Sequence, residues 1–139
     1  MTREEPYQSF ATSYDKYIGP VTRGIREAAM EMIGSASGKR ILEVGCGTGL
    51  NLHRLQQAGG SVHGIDLSPA MVTEARQKLG KTAVLSVGDA TQLPFPARVF
   101  DLVIAMLTLH EMNDEMRSGV MKEMIRVCRK NGRLLLVDF

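Results

Sequence analysis

The sequence predicts an α/β fold in which a mostly parallel, doubly wound sheet carries helices on both faces. Short apolar strands alternate with helices along the chain, which is typical of right-handed strand–helix–strand units. The strands are almost continuously apolar, as strands buried on both faces are. Three glycines at alternate positions follow the first strand directly, and this pattern predicts a tight turn at a ligand site.

Composition limits the class of protein. The chain has 139 residues, of which 44% are hydrophobic and 23% charged, so we expect one globular domain over residues 1–139. The net charge of +2 gives no argument for nucleic acid as a partner. No apolar run reaches the roughly 18 residues that a membrane span needs, and the N-terminus has no apolar signal region. We therefore expect a cytoplasmic protein.

The cysteines and histidines predict neither a disulfide framework nor a metal site. The two cysteines, Cys46 and Cys128, lie inside predicted regular elements. The three histidines show no metal-ligand spacing with one another or with the cysteines.

Residues 1–36 are predicted to form an N-terminal helical segment. Thr22 is predicted to cap a helix over residues 23–33. The chain has few aromatic residues, and four of them precede this helix: Tyr7, Phe10, Tyr14 and Tyr17. Two interpretations stay open. The rings pack over the domain edge, or they form a lid in which Tyr7 and Tyr14 cover a bound substrate or cofactor.

Residues 37–139 are predicted to form a cofactor-binding core of five strands and three further helices. The predicted strands are 40–44, 61–65, 83–87, 102–106 and 133–137, and the predicted helices are 49–58, 69–79 and about 114–127. Ser68 and Pro69 are typical of a helix start, because serine caps and proline fits the first turn. Asn113 or Asp114 caps the last helix. Asn131 and Gly132 predict a turn before the fifth strand.

Polar or glycine features follow four of the predicted strands. They are the glycine loop of residues 45–49, Asp66, Asp89 and His110. The carboxyl ends of parallel strands share one edge of the sheet, where ligands bind in such folds. The sequence therefore predicts a ligand site at this edge.

The glycine loop alone is compatible with NAD or with S-adenosylmethionine. The dinucleotide fingerprint needs a third glycine where Leu50 stands, and Gly49 lies one residue early. This departure disfavours an NAD-dependent oxidoreductase. Asp66 suits the ribose hydroxyls of either cofactor, with a helix N-cap as its alternative role. Ser68 already supplies that cap, which favours the ribose.

Four successive segments resemble motifs of class I S-adenosylmethionine-dependent methyltransferases. The segments are residues 41–49, 64–71, 88–95 and 100–103, and residues 10–15 are similar to the N-terminal segment of one branch. That branch acts on small molecules and includes ubiquinone and menaquinone biosynthesis enzymes. The resemblance implies a Rossmann-like sheet of strand order 3-2-1-4-5, with S-adenosylmethionine as cofactor and S-adenosylhomocysteine as product.

The resemblance also implies roles for ten residues around the cofactor. The implied contacts are Glu43, Gly45, Cys46 and Gly47 to the methionine part, Asp66 and Leu67 to the ribose and the adenine face, Asp89 and Ala90 to the adenine edge, and Met106 and Leu107 near the sulfonium. The backbone of the loop would bind the methionine carboxylate, and Glu43 would meet its ammonium. A purely structural acid is the alternative for Glu43.

His110 is the candidate general base, because it follows the fourth strand at the predicted rim and imidazole often moves protons in catalysis. Its alternative is to cap the next helix or to fill the cleft wall, and Glu111 is a weaker substitute. The Asn/Asp-Pro-Pro-Tyr signature of adenine and glutamine N-methyltransferases is absent from residues 105–110, so methylation of nucleic acid is not expected.

Two departures from the family concern the C-terminal part. Asn131 stands in a turn where the family has Lys-Pro-Gly-Gly, and the family continues past strand five with a helix and an antiparallel strand pair. Residues 134–139 would otherwise form an apolar sheet edge, which favours association. We expect a homo-oligomer paired through this edge, with a truncated or naturally short chain as the alternatives.

The leading hypothesis is therefore methyl transfer to a small-molecule acceptor. A cofactor-binding module with little catalysis of its own is the alternative. The acceptor and its reacting atom (carbon, oxygen or nitrogen) are left open.

Overall fold

The computed structural model describes residues 10–138, which form one five-stranded parallel sheet with helices on both faces. The elements are α1 (Ala11–Ile33), β1 (Arg40–Val44), α2 (Leu50–Gln57), β2 (Ser61–Asp66), α3 (Pro69–Leu79), β3 (Val84–Val87), β4 (Phe100–Met106), a 3-10 turn (Leu109–Glu111), α4 (Asp114–Val127) and β5 (Cys128–Val137). The strand order is β3-β2-β1-β4-β5, and every neighbouring pair is parallel. The predicted fold class and strand order are confirmed.

The central strand β1 separates two apolar layers. Ile41 and Leu42 are fully buried and lie in different clusters, because successive side chains of a strand point to opposite faces. Ile33 of α1 and Leu52 of α2 pack in the first cluster, and Met124 of α4 packs in the second. Burial of each such side chain contributes about 1.5–3 kcal/mol. This core fixes the strand ends that carry the site.

Helix α1 is longer than the sequence predicts. It begins at Ala11 rather than at residue 23 and continues through Pro20. The predicted cap at Thr22 is wrong, because this residue lies inside the helix and its hydroxyl donates to the carbonyl of Ile18 at 3.0 Å. Proline removes one backbone donor and therefore imitates a helix boundary in the sequence. The added turns bring Tyr14 onto the helix.

Strand β5 also begins early, at Cys128 rather than at Arg133. The predicted turn at Asn131 and Gly132 is instead an irregularity within the strand, where the register jumps between two β4 residues. A Cβ at Gly132 would lie 2.7 Å from the Cys128 sulfur, so the close approach there requires glycine.

Strands β3 and β5 form the two edges of the sheet. On β5, Leu134 and Leu136 are 38% and 42% exposed, and Ile125 of α4 is 60% exposed. None of the helices in the described part of the chain is long and apolar enough to cross a membrane.

Candidate active site

A cavity of about 370 Å³ opens at the carboxyl ends of the central strands, a volume typical of small-molecule sites. All ten residues predicted to contact the cofactor line it: Glu43, Gly45, Cys46, Gly47, Asp66, Leu67, Asp89, Ala90, Met106 and Leu107. Tyr14 lines it as well, whereas Tyr7 lies outside the described residues. The residues that the sequence predicts for the site therefore lie together at one cavity.

Two glycines of the loop have positive φ but differ in what surrounds them. Gly45 has φ +69°, and a Cβ there would lie 2.5 Å from the hydroxyl oxygen of Thr108. Gly47 has φ +54°, but no atom lies within 4 Å of the place its Cβ would take. A side chain at Gly47 would extend into open space beside the cavity. The main chain is thus accessible to a ligand at this point.

Three backbone N–H groups at the start of the loop are already bonded within the protein. Gly45 and Cys46 both donate to the carbonyl of Ile65, at 2.8 and 3.1 Å. The N–H of Gly47 donates to Oδ2 of Asp66 at 2.9 Å. The neighbouring strand end therefore supplies acceptors for these three groups in the ligand-free chain. Binding of the methionine carboxylate by the loop stays a prediction.

Arg26 of α1 is the cation among the residues of 10–138 that line the cavity. Its guanidinium donates to the hydroxyl of Thr22 at 3.1 Å and to the carbonyl of Gly19. The helix predicted over residues 23–33 contains Arg26 but stops short of Tyr14, so the sequence did not connect Arg26 with the site. The signal was present, since Tyr14, Thr22 and Arg26 are spaced by multiples of four and share one helix face. All three line the cavity.

Glu43 is 2% exposed at the end of β1. Its Oε2 accepts from the side-chain amide of Asn51 at 2.8 Å, whereas its Oε1 and the Oδ1 of Asn51 are buried without a donor within residues 10–138. Burial raises the pKa of Glu43 to about 8; the charge of Asp66 also raises it, while Asn51 and Arg26 lower it. Two unsatisfied acceptors on one wall fit a ligand that brings N–H donors, such as an ammonium group.

Asp66 connects the glycine loop to helix α3. Its Oδ1 accepts from the N–H of Ser68 at 2.9 Å, and its Oδ2 holds the loop. Ser68 caps α3 by accepting from Met71 at 3.1 Å, with Pro69 in the first turn, as predicted. Each carboxylate oxygen has a second lone pair, so Asp66 can still accept from ribose hydroxyls.

The predicted adenine-binding residues combine polar and apolar groups. Asp89 is exposed, and its Oδ1 accepts from the N–H of Thr91 at 2.8 Å. Ala90 is buried beside it, whereas Leu67 is 62% exposed although it lines the cavity. An exposed leucine on a cavity wall offers apolar surface that a planar ring would cover.

Helix α1 is fastened over the glycine loop by Asp15. This carboxylate accepts from the ammonium of Lys78 on α3 and from the hydroxyl of Thr48 in the loop. Lys78 also donates to the carbonyl of Thr48 at 2.9 Å. Tyr14, the residue before Asp15, lines the cavity. Whether Tyr7 and Tyr14 form a lid stays a prediction.

The chain after β4 turns sharply into the cavity wall. Leu107 has φ +56°, a conformation that leucine rarely adopts, and its N–H donates to the carbonyl of Val137 at 2.7 Å. Met106 is 6% exposed, and its sulfur accepts from Asn51 at 3.3 Å. Backbone strain of this kind occurs where the surrounding structure holds a functional segment in place.

His110 and Glu111 take different directions from this turn. The Nδ1 of His110 lies 2.8 Å from Oδ1 of Asp138, whose Oδ2 accepts from the His110 N–H at 2.9 Å. The described cavity wall includes Glu111 but not His110. The role of His110 as general base therefore stays a prediction. Among residues 10–138, no three histidine, cysteine or acidic side chains are grouped to hold a metal ion.

The fold and the site define a class I S-adenosylmethionine-binding α/β protein. The chain belongs to the methyltransferase domain family, whose pattern matches residues 42–136. S-adenosylmethionine is the cofactor of this family. The predicted family and cofactor are confirmed.

Two relatives show the range of the family. The chain is 37% identical over 134 residues to phosphatidylethanolamine N-methyltransferase of Cereibacter sphaeroides, covering 90% of this chain and 62% of the relative. It is 34% identical over 118 residues to demethylmenaquinone methyltransferase of Tropheryma whipplei, covering 82% and 47%. The chain therefore spans less than two thirds of these relatives.

Solved structures agree with the fold. A methyltransferase of Haloferax volcanii in complex with the Trm112 activator matches with a TM-score of 0.84 at 23% identity, covering 96% of this chain and 60% of that one. An S-adenosylmethionine-dependent methyltransferase of Mesorhizobium loti matches with a TM-score of 0.71 at 27% identity, covering 79% and 51%.

Proposed function

We propose that this chain transfers a methyl group from S-adenosylmethionine to a small-molecule acceptor. One observation carries the proposal: the cavity pairs two buried, unsatisfied acceptors, on Glu43 and Asn51, with the cation of Arg26. Arg26 and Glu43 line the same cavity, and the charge of Arg26 lowers the pKa of Glu43. This arrangement complements the ammonium and carboxylate that the methionine part of the cofactor carries together.

The remaining cavity residues complete a binding site for the cofactor. Glu43 and Asn51 would accept from the ammonium, and Arg26 would donate to the carboxylate. Asp66 would accept from the ribose, while Leu67, Asp89 and Ala90 would surround the adenine. When bound, the cofactor supplies a methyl group already activated by a sulfonium. The protein's own task is then to orient the acceptor and to exclude water, effects worth up to roughly 7–11 kcal/mol of the barrier.

The chemistry of the acceptor is not fixed by the relatives. One is named for an amine lipid and another for a quinone precursor, so their names support only the broad class of small molecules. Self-association through β5 also stays a prediction. It is motivated by the exposure of Leu134 and Leu136. A stable monomer at high concentration in light scattering would contradict it.

Calorimetry and a transfer assay test the proposal. We expect S-adenosylmethionine and S-adenosylhomocysteine to bind with similar affinity, and NAD not to bind. Glu43→Gln should weaken both ligands, whereas Glu31→Gln on the exposed side of α1 should not. Binding of NAD without S-adenosylhomocysteine would overturn the proposal.

A screen with methyl-labelled cofactor separates an enzyme from a binding module. Label recovered in a small-molecule acceptor supports the enzyme. Tight cofactor binding without transfer to any acceptor would favour the module with little catalysis.

A further inference from the structure

We propose that the hydroxyl of Thr108 is a further binding group for the cofactor and donates a hydrogen bond to its methionine carboxylate. Thr108 lies two residues past the end of β4 and lines the cavity. The inference rests on the proposed methyl transfer and adds to that site a side chain for which the sequence motifs predict no role.

The first argument is the close packing of Thr108 against the glycine loop. A Cβ at Gly45 would lie 2.5 Å from Oγ1 of Thr108, 2.9 Å from its Cβ and 3.0 Å from its Cγ2. The glycine therefore leaves the room that the threonine side chain occupies. Of these three atoms, the hydroxyl oxygen approaches the loop most closely. It thus lies against a residue predicted to contact the methionine part of the cofactor.

The second argument is that the backbone holds Thr108 in place from both sides. The preceding residue, Leu107, has φ +56°, and its N–H donates to the carbonyl of Val137 at 2.7 Å. After Thr108, Arg117 of α4 donates to the carbonyl of Leu109 at 3.2 Å. A strained residue between two such attachments fixes the direction of the chain into the cavity wall.

The third argument is that the hydroxyl of Thr108 is available. The hydroxyls of Thr22, Thr48 and Ser68, which line the same cavity, each form a hydrogen bond within the protein. The hydroxyl of Thr108 has no such partner among residues 10–138 and does not cap the 3-10 turn that follows. A half-buried hydroxyl on a cavity wall is suited to a ligand that supplies the missing partner.

The position of Thr108 relates it to the acceptors proposed for the ammonium. Gly45 follows Glu43 by two residues, and Thr108 follows Met106 by two. The amide of Asn51 connects these two strand ends, since its nitrogen lies 2.8 Å from Oε2 of Glu43 and 3.3 Å from the sulfur of Met106. The ammonium and carboxylate of the methionine part share one carbon, so a carboxylate donor has to lie beside the ammonium acceptors.

The choice of the carboxylate follows from the need for donors. The unpaired side-chain oxygens of Glu43 and Asn51 are acceptors and cannot bond a carboxylate. Three N–H groups at the start of the loop already have acceptors within the protein. The hydroxyl of Thr108 therefore adds a donor to the guanidinium of Arg26. A threonine hydroxyl carries no charge, so its role is to bind and orient the cofactor.

Two ligands that differ only at the carboxylate test the assignment. The first is S-adenosylhomocysteine, and the second is its decarboxylated analogue, which keeps the amine, the thioether and the adenosine. Calorimetry with the full chain measures both affinities. We expect Thr108→Val to weaken S-adenosylhomocysteine at least about fivefold, because a hydrogen bond to a charged group is stronger than a neutral one. The analogue should bind this variant and the wild type within about twofold, since it lacks the group that the hydroxyl bonds.

Three further variants separate the hydroxyl from packing. Thr108→Ser keeps the hydroxyl and should bind S-adenosylhomocysteine nearly as the wild type does. Thr108→Ala removes the hydroxyl without adding a group to pack and should repeat the pattern of Thr108→Val. The control Thr73→Val removes an exposed hydroxyl from α3, outside the cavity, and should change neither affinity.

Three results would overturn the role of Thr108: unchanged affinity of Thr108→Val for S-adenosylhomocysteine, equal weakening of both ligands, or a loss in Thr108→Ser as large as in Thr108→Val. Failure of the wild-type protein to bind S-adenosylhomocysteine would instead contradict the proposed function, so the two failures are distinguishable.

Discussion

The side-chain amide of Asn51 lies 2.8 Å from Oε2 of Glu43, and this hydrogen bond leaves one buried oxygen on each side chain without a donor. A buried acceptor without a partner costs about 1–3 kcal/mol. Both residues line the cavity, so a ligand that supplies the missing donors recovers that free energy. The free energy that the two unpaired oxygens cost the ligand-free protein therefore contributes to the affinity for the ligand.

Cofactor binding should release a proton from Glu43. Burial holds the pKa of Glu43 at about 8 before the ammonium arrives, and a positive charge at hydrogen-bond distance should lower it. Affinity for S-adenosylhomocysteine should therefore rise as the pH increases toward 8. Calorimetry at pH 7 in buffers of different ionisation enthalpy measures the released proton directly. Glu43→Gln should abolish this release and Glu31→Gln should not; release that persists in Glu43→Gln would contradict the assignment.

The same carboxyl should make the ligand-free protein less stable as the pH rises. The pKa of Glu43 is raised from 4.5 to about 8 in the folded state, so the folded state binds the proton more strongly than the unfolded state. Its contribution is fully present below pH 4.5 and is lost as the pH rises through 8, at about 1.4 kcal/mol per pH unit between these values. Urea unfolding at several pH values tests this. Between pH 4.5 and pH 8, the free energy of unfolding of Glu43→Gln should change less with pH than that of the wild type.

His63 should oppose that trend at lower pH. Its ring packs edge-on against Phe95 and Phe100, with centroids 5.8 and 5.0 Å away, and its buried Nδ1 has no partner within residues 10–138. Burial lowers the pKa of His63 below 6.5, and the charge of Arg40 lowers it further. The stability it contributes is present above pH 6.5 and falls as the pH drops through its folded pKa. His63→Gln should remove this acid-side loss of stability in thermal melts. The control His53→Gln, at a half-buried histidine on α2, should leave the loss unchanged, and a loss that disappears in His53→Gln instead would contradict the assignment.

Gly45→Ala should destabilise the fold far more than Gly47→Ala. Both positions have positive φ, which costs a non-glycine residue about 1–2 kcal/mol. At Gly45 the new methyl would also collide with Thr108, whereas at Gly47 it meets open space. We expect losses of roughly 3 kcal/mol or more and roughly 1 kcal/mol in urea unfolding. Gly47→Ala should in addition weaken cofactor binding, and equal losses of stability would show that the loop relaxes around the collision.

Asp15→Asn should speed the dissociation of S-adenosylhomocysteine. Asp15 fastens α1 to Lys78 and Thr48, and this attachment keeps Tyr14 at the cavity. The global stability should change by no more than about 1 kcal/mol, because the pair is partly exposed. Stopped-flow displacement measures the rate. Glu27→Gln is the matched control, since Glu27 pairs with Arg23 at 3.4 Å on the outer side of the same helix.

The strands and the glycine loop could be read from the sequence because their signals are local. An apolar run followed by Gly45, Gly47 and Gly49 indicates a buried strand and a tight turn within a few residues. Likewise, Ser68 and Asn113 cap the helices that follow them, as their spacing predicts.

The residues that the sequence missed are assembled by tertiary contacts. Arg26 shares one face of α1 with Tyr14, and α1 continues through Pro20, where local rules predict a boundary. Asn51 contributes to the site because its amide donates to the buried carboxylate of Glu43 across the loop. Backbone N–H groups that a linear motif leaves free for an anion are bonded to β2 in the folded chain.

Pro20 has one more consequence. A proline has no amide hydrogen to donate, so α1 lacks one backbone hydrogen bond at Pro20. This gap separates the part of the helix that carries Tyr14 from the part that ends at Ile33. At its far end, the carbonyl of Ile33 accepts from Arg133 at 3.1 Å, which ties that part to the sheet. The two halves of α1 therefore differ in what holds them. The amide protons before Pro20 should exchange with solvent as one cooperative unit, independently of those after it. Pro20 is the boundary between these two units.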